Sequence, residues 1–139
     1  MRDYLFRTRT GCGGNTVEID LMNACRLRAS ELHVMLFRTN VGKVKMQDGR
    51  WFDTGLPKGH ADLYGILPGG RCIYVETKVK PRKPTKEQCQ FLIAAINQGA
   101  VGCVAYSVQD MVDIIQAWPV YKERILAGLY RRVDECSKS

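Results

Sequence analysis

Asp62, Glu76 and Lys78 are the residues of this chain whose types and spacing most readily suggest chemistry. Two runs, Asp62 to Leu67 and Arg71 to Lys78, are rich in aliphatic and aromatic residues, and Pro68-Gly69-Gly70 punctuates them, so the stretch reads as a β-hairpin. On its second strand Tyr74, Glu76 and Lys78 share one face, and Ile73, Val75 and Thr77 the other. A three-residue loop at Pro68–Gly70 pairs Leu67 with Arg71 and, counting outward, sets Asp62 opposite Glu76. Like charges so placed repel unless a positive charge lies between them. A hard divalent cation such as Mg²⁺, Mn²⁺ or Ca²⁺ would supply it and would also accept a substrate phosphate. A loop of another length would put Asp62 opposite Thr77 and weaken the pairing, and a strand with merely solvated charges is the plain alternative.

The flanking segments must position these groups. Val17, Leu21, Ala24, Cys25 and Leu32 recur at helical intervals from an N-cap at Asn15 or Thr16 to about residue 34. Met35 to Thr39 reads as extended. Lys43–Met46 and Trp51–Phe52 flank Gln47-Asp48-Gly49, where Asp-Gly is a hairpin signal, so a ribbon is expected there. Thr85-Lys86-Glu87-Gln88 has the capping-box pattern, and Phe91, Leu92, Ala95 and Ile96 form the apolar face of a helix that stops near Gly99. Gly102 to Tyr106 reads as a strand buried on both faces. Ser107 to Asp110 starts a further helix ending by Trp118-Pro119, and Tyr121 to Val133 makes a last one, with Ile125, Leu126, Leu129 and Val133 on its apolar side and Arg124, Arg131 and Arg132 on its polar side.

The 139 residues suit one compact domain, here set at 15–133, between a flexible basic arm over 1–14 (Arg2, Arg7, Arg9 and a glycine-rich end) and a tail over 134–139. No apolar run is long enough to cross a bilayer, and the start lacks the apolar core of a signal peptide, so a cytoplasmic setting is expected. The six cysteines form no C-x-x-C pair and the two histidines show no finger spacing; buried thiols are expected rather than zinc ligands. A net charge of +7, from 21 Lys and Arg against 14 Asp and Glu, favours a polyanionic partner, nucleic acid above all.

At these residues the chain resembles the VRR-NUC family of the PD-(D/E)XK nuclease superfamily. The matching stretches, in the family's order, are Arg38-Thr39-Asn40-Val41-Gly42, Gly59-His60-Ala61-Asp62-Leu63-Tyr64-Gly65, Val75-Glu76-Thr77-Lys78, Thr85 to Leu92, Gly99, and Val101 to Tyr106. Where the superfamily motif usually has proline before its aspartate, this chain has Ala61, a departure that bears on rigidity more than on chemistry. The resemblance implies an α/β fold with a restriction-endonuclease-like αβββαβ core, a central mixed sheet flanked by helices.

It also implies a metal-dependent, structure-selective DNA endonuclease. Asp62, Glu76 and the backbone carbonyl of Thr77 would hold Mg²⁺ or Mn²⁺, with Glu18 at the start of the first helix as an added ligand, and Lys78 and Gln88 would act on the water and the scissile phosphate. Glu18 is equally explained by the helix dipole, and Gln88 by its capping role. Arg38, Asn40 and Gly42 are expected at the rim of the substrate cleft. Lys58, His60, Lys80, Arg82 and Lys83 are candidate DNA contacts, from a glycine-hinged approach to the hairpin and a basic, proline-broken loop after it. Branched DNA, cut by a homodimer at a four-way (Holliday) junction, is the substrate considered, with flaps or ends as the alternative, in the cytoplasm of a bacterium or a phage-infected host cell. Two readings from other classes stand beside it: a noncatalytic nucleic-acid-binding module, and a metal-dependent hydrolase of small phosphoesters.

Overall fold

The computed structural model describes residues 16–139; the basic arm and Asn15 lie outside them. Helix α1 spans Thr16–Glu31, strand β1 Met35–Arg38, β2 Lys43–Lys45, β3 Trp51–Asp53, β4 Leu63–Ile66 and β5 Cys72–Thr77, followed by α2 at Lys86–Asn97, β6 at Val101–Ala105 and α3 at Val108–Lys138. The main sheet has the order β1-β4-β5-β6. Its first three strands pair antiparallel and β6 joins β5 in parallel, so the sheet is mixed. The parallel step needs a crossover, and α2 supplies it. Removing β2 and β3, which form a separate two-stranded ribbon between β1 and β4, leaves the αβββαβ order.

Alternation along the strands sorts the sheet into two faces. Leu63, Ile73, Val75, Val101, Cys103 and Ala105 are buried on one side, against Met22, Cys25 and Ala29 of α1 and Met111 and Ile114 of α3. Gly102 opens the other side to α2, where a Cβ would lie 3.3 Å from Leu92 and 3.4 Å from Ile96. The buried stripe of α1 is Met22-Cys25-Ala29, with Leu21 and Leu32 packed against the core; of the expected set, Val17 is 57% exposed and Ala24 is also exposed. Small residues at 25 and 29 let the helix sit close to the strands, which hydrophobicity alone does not signal.

Gly65 sits where β1 and β4 come together most closely. A Cβ at this position would lie 1.7 Å from the carbonyl oxygen of Met35, a separation no side chain survives. The absence of a side chain thus sets how near the first strand can come to the hairpin that bears Asp62.

α2 begins with the expected capping box: Thr85 Oγ1 accepts from the Gln88 amide at 3.2 Å, and Gln88 Oε1 accepts from the Thr85 amide at 2.9 Å. Gly99 follows the C-cap with φ +102°, a conformation glycine adopts without strain. α3 opens on a second box, Ser107 with Asp110, whose carboxylate also accepts from the Tyr106 amide at 2.9 Å. The two expected C-terminal helices are joined without a loop. Ala117 leaves helical geometry (φ −140°, ψ 43°) and Pro119 re-enters it, since a proline is tolerated in the first turn, where its missing N–H has no partner to lose. The helix then runs on to Lys138, through the residues expected as a tail.

Candidate active site

The hairpin register is the one that opposes the two carboxylates. Leu63 pairs with Val75 and Tyr64 with Tyr74, and the Leu67 amide donates to the Arg71 carbonyl at 2.8 Å across the three-residue loop. The next pair outward is Asp62 and Glu76. Glu76 is 1% exposed, on a strand end closed by β6 on one side, where the Lys78 amide donates to the Ala105 carbonyl at 3.0 Å.

The carboxylates are held by unlike partners. Asp62 Oδ2 accepts from the Thr77 amide at 3.1 Å and the Thr77 hydroxyl at 2.9 Å, while Oδ1 has no hydrogen bond among the described residues. Glu76 Oε2 accepts from the Asp62 amide at 3.2 Å. Its Oε1 accepts from Gln88 Nε2 at 2.6 Å and lies 3.3 Å from Lys78 Nζ. Burial, and then the neighbouring Asp62, push the Glu76 carboxyl up from 4.5 to about 8, against the opposite pull of Lys78 and the Asp62 amide. Desolvation and a like charge thus outweigh one ammonium, and the pair lacks positive charge.

Gln88 keeps its expected capping role and also reaches the acidic pair. Its amide is bifunctional: the carbonyl end caps α2 and the NH₂ end reaches Glu76. The helix start is thereby fixed to the acidic pair. Gly59, at φ +90°, brings the chain before Asp62 onto the same helix end, where a Cβ would fall 2.4 Å from the Glu87 carbonyl oxygen. The glycine there serves a close approach to the backbone of α2. Thr39 holds the third side: its amide donates to the Asp62 carbonyl at 2.8 Å, and its hydroxyl to the carbonyls of Ala61 and Asp62. This clamp lies within the Arg38–Gly42 match, but nothing in the spacing marked Thr39 for it.

The remaining expected residues scatter around this centre. Glu18 faces Arg82 at 3.7 Å, and among the described residues no third His, Cys, Asp or Glu joins Asp62 and Glu76. His60 turns away into an aromatic cluster, 4.5 Å from the Phe91 ring and 5.7 Å from that of Tyr74, with Nδ1 2.9 Å from the Ala61 carbonyl oxygen. Arg38 and Asn40 are exposed at the end of β1, where Arg38 opposes Leu63. Lys80 lies 5.9 Å over the Tyr106 ring, and the Tyr106 hydroxyl donates to the Arg82 carbonyl at 3.0 Å, bracing the basic loop. Lys58 meets Glu87 at 3.6 Å and Lys83 meets Glu135 at 3.7 Å. Both are exposed surface pairs that hold weakly, so a phosphate can replace the carboxylate. A cleft of about 440 Å³ beside this loop, lined by Lys83, Tyr106, Arg124 and Arg132, includes neither Asp62 nor Glu76. Of the cysteines described, Cys25, Cys89 and Cys103 are buried and burial pushes their thiols up, but Cys72 is exposed, because it lies on the open face of β5 near the turn.

A solved structure titled "VRR_NUC domain" superimposes on this chain with a TM-score of 0.55 and 23% identity, over 75% of this chain and 99% of its own. The chain has the VRR-NUC fold. No protein-family model and no curated protein matches it. Within the VRR-NUC fold as this chain builds it, Asp62, Glu76, Lys78 and Gln88 meet at the point where β5, the start of α2 and the entry to β4 converge. The arrangement suits a divalent cation by its donor chemistry. Two carboxylates supply hard oxygens, one oxygen of Asp62 is open, and a cation would offset the burial and the neighbouring Asp62 charge that raise Glu76. No helix of the described residues is long and apolar enough to cross a membrane.

Proposed function

We propose that this chain is a divalent-metal-dependent nuclease that hydrolyses DNA phosphodiester bonds at the Asp62–Glu76–Lys78 site. The observation that carries this is the convergence of a buried Glu76 with Asp62 and an ammonium that is only 13% exposed. The likeness to the VRR_NUC domain structure supports it. So does the charge of +7, which suits a polyanion better than a small phosphoester.

In this reading Asp62, Glu76 and the Thr77 carbonyl hold Mg²⁺ or Mn²⁺, which when bound polarises the phosphoryl oxygen and lowers the pKa of water. The residues of the chain do the rest. Thr77 pins one oxygen of Asp62 and so aims the other. Gln88 fixes the Glu76 carboxylate from the opposite side. Lys78 spends one of its three N–H donors on Glu76, leaving the others for a phosphate oxygen and the attacking water. Water adds to phosphorus, the bond to the leaving sugar oxygen breaks, and that oxygen takes up a proton. Lys80, Arg82 and Lys83 hold the flanking phosphates, with Arg38, Asn40 and Lys58 on the other rim.

The finer reading is selectivity for branched DNA by a two-fold homodimer, since two sites related by symmetry can cut paired strands of a four-way junction. α1 and α3 offer the candidate seam; Val120 is 77% and Tyr130 49% exposed on α3. The test is hydrolysis of labelled four-way, flap, splayed and linear DNA with Mg²⁺ or Mn²⁺, beside light scattering after gel filtration. Loss of cleavage in Asp62→Ala and Glu76→Ala supports the site, whereas full activity in either excludes it. Binding that persists in EDTA with no cleavage under any divalent metal selects the noncatalytic module. A monomer that degrades only linear ends removes the junction reading and leaves the nuclease.

A further inference from the structure

The β2–β3 ribbon stands outside the core and carries a composition that the hydrolytic site does not explain. Every residue from 41 to 53 is exposed. The register Lys43↔Asp53, Val44↔Phe52, Lys45↔Trp51 places Lys43, Lys45 and Trp51 on one face and Val44 and Phe52 on the other. Trp51 is 65% exposed. Asp53 shares this face opposite Lys43, with Oδ1 accepting from the Gly55 amide at 2.9 Å, and Asp48 is paired with Arg50 at 2.6 Å at the ribbon's tip. Lys43 and Lys45 have no ion-pair partner among the described residues. An indole flanked by two free ammonium groups is thus presented to solvent on one face.

Both ends of the ribbon return to the acidic pair. Its base is closed by Gly42 and Thr54, with the Thr54 amide donating to the Gly42 carbonyl at 3.0 Å and the Gly42 amide to Thr54 Oγ1 at 3.2 Å. On the N-terminal side Thr39 is bonded to the backbone of Asp62; on the C-terminal side Gly59 lies against the start of α2. The stems of the ribbon are thus tied to the segments that hold the acidic pair.

We propose that this face binds single-stranded nucleic acid, with a base stacked on Trp51 and adjacent phosphates neutralised by Lys43 and Lys45. This rests on the nuclease reading only for its purpose, which would be to recognise the unpaired segment of a branched or frayed substrate. The chemistry decides between strand forms. A flat aromatic face takes an unstacked base regardless of sequence, whereas a duplex presents mainly phosphates. The ammonium groups set the partner's charge as negative, and the indole requires an aromatic surface beside it.

The experiment is tryptophan fluorescence of the full chain titrated with single-stranded oligothymidine in EDTA, where no metal-dependent cleavage occurs. The chain has two tryptophans, and Trp118 is only 5% exposed, so quenching reports Trp51. Quenching is expected in the wild type. Trp51→Ala should abolish it and weaken binding, followed by anisotropy of a labelled strand, about tenfold. Lys43→Gln with Lys45→Gln should flatten the slope of log K against log salt by about 1.4. Binding unchanged by Trp51→Ala, an equal loss for blunt duplex of the same length, or a change of molar mass in the variant would overturn the proposal, the last by making the ribbon a seam between copies. A wild type that cuts DNA without quenching refutes this inference alone; one that quenches but never cuts refutes the nuclease reading alone.

Discussion

The acidic pair and the β2–β3 ribbon have opposite physical characters. Glu76 is almost fully enclosed, and both of its oxygens are held by groups from α2, β5 and the entry to β4. Trp51 and Phe52 make no part of the core, and their ladder is a short ribbon of its own. Chemistry demands positions held to fractions of an ångström, which only packed elements supply. Gripping a flexible strand demands reach and exposed aromatic area, which a packed element cannot offer. The division predicts that damage to the first region should show in turnover and stability, and damage to the second in affinity alone.

Asp62→Ala or Glu76→Ala is expected to lower the rate of DNA cleavage by about 10³-fold or more, about 4 kcal/mol of transition-state stabilisation, with DNA binding in EDTA retained. Single-turnover assays check this, and loss of binding to match the loss of rate would blur the comparison. Gly65→Ala should cost about 3 kcal/mol of stability, by urea denaturation, because the Met35 carbonyl must be driven from β4.

The proton on Glu76 supplies a third prediction. Its folded pKa of about 8 lies above the ordinary 4.5, so the folded protein retains a proton that the unfolded chain releases between those values. Stability without divalent metal should therefore be greatest at low pH in that window and fall as pH rises through it, by about 2 kcal/mol from pH 6 to pH 8. Melting temperatures across that range check the sign, and Glu76→Gln should remove the slope. Gln88→Ala, which deletes half of the capping box and a ligand of Glu76, should cost about 1 kcal/mol in thermal unfolding. Trp51→Ala should fall within about 0.5 kcal/mol of the wild type in the same measurement.

How far the sequence reached follows the same division. The hairpin register could be counted from Pro68-Gly69-Gly70 because a turn fixes pairing locally, and the two capping boxes are local patterns too. Ordered motifs along the chain pointed to the VRR-NUC fold even though no family model matches. Tertiary packing was less legible. The stripe of α1 is set by how small residues meet the sheet, and the union of the last two helices by one residue, Ala117, whose backbone turns without a loop. His60 follows three aromatic rings brought together from β4, β5 and α2, a cluster no window of sequence contains. Thr39 and Thr77 are polar residues with long-range duties, and only the folded geometry assigns them to Asp62.

The central claim, that Asp62 and Glu76 together form a cation site, is met most directly by calorimetric titration of Mn²⁺ into the full chain at pH 7 in buffers of different ionisation enthalpy. The account predicts saturable binding with a buffer-dependent heat, because the cation displaces the Glu76 proton, and loss of both in Asp62→Asn and Glu76→Gln variants that remain folded. Binding of equal strength in those variants, or no binding to the wild type, would contradict it.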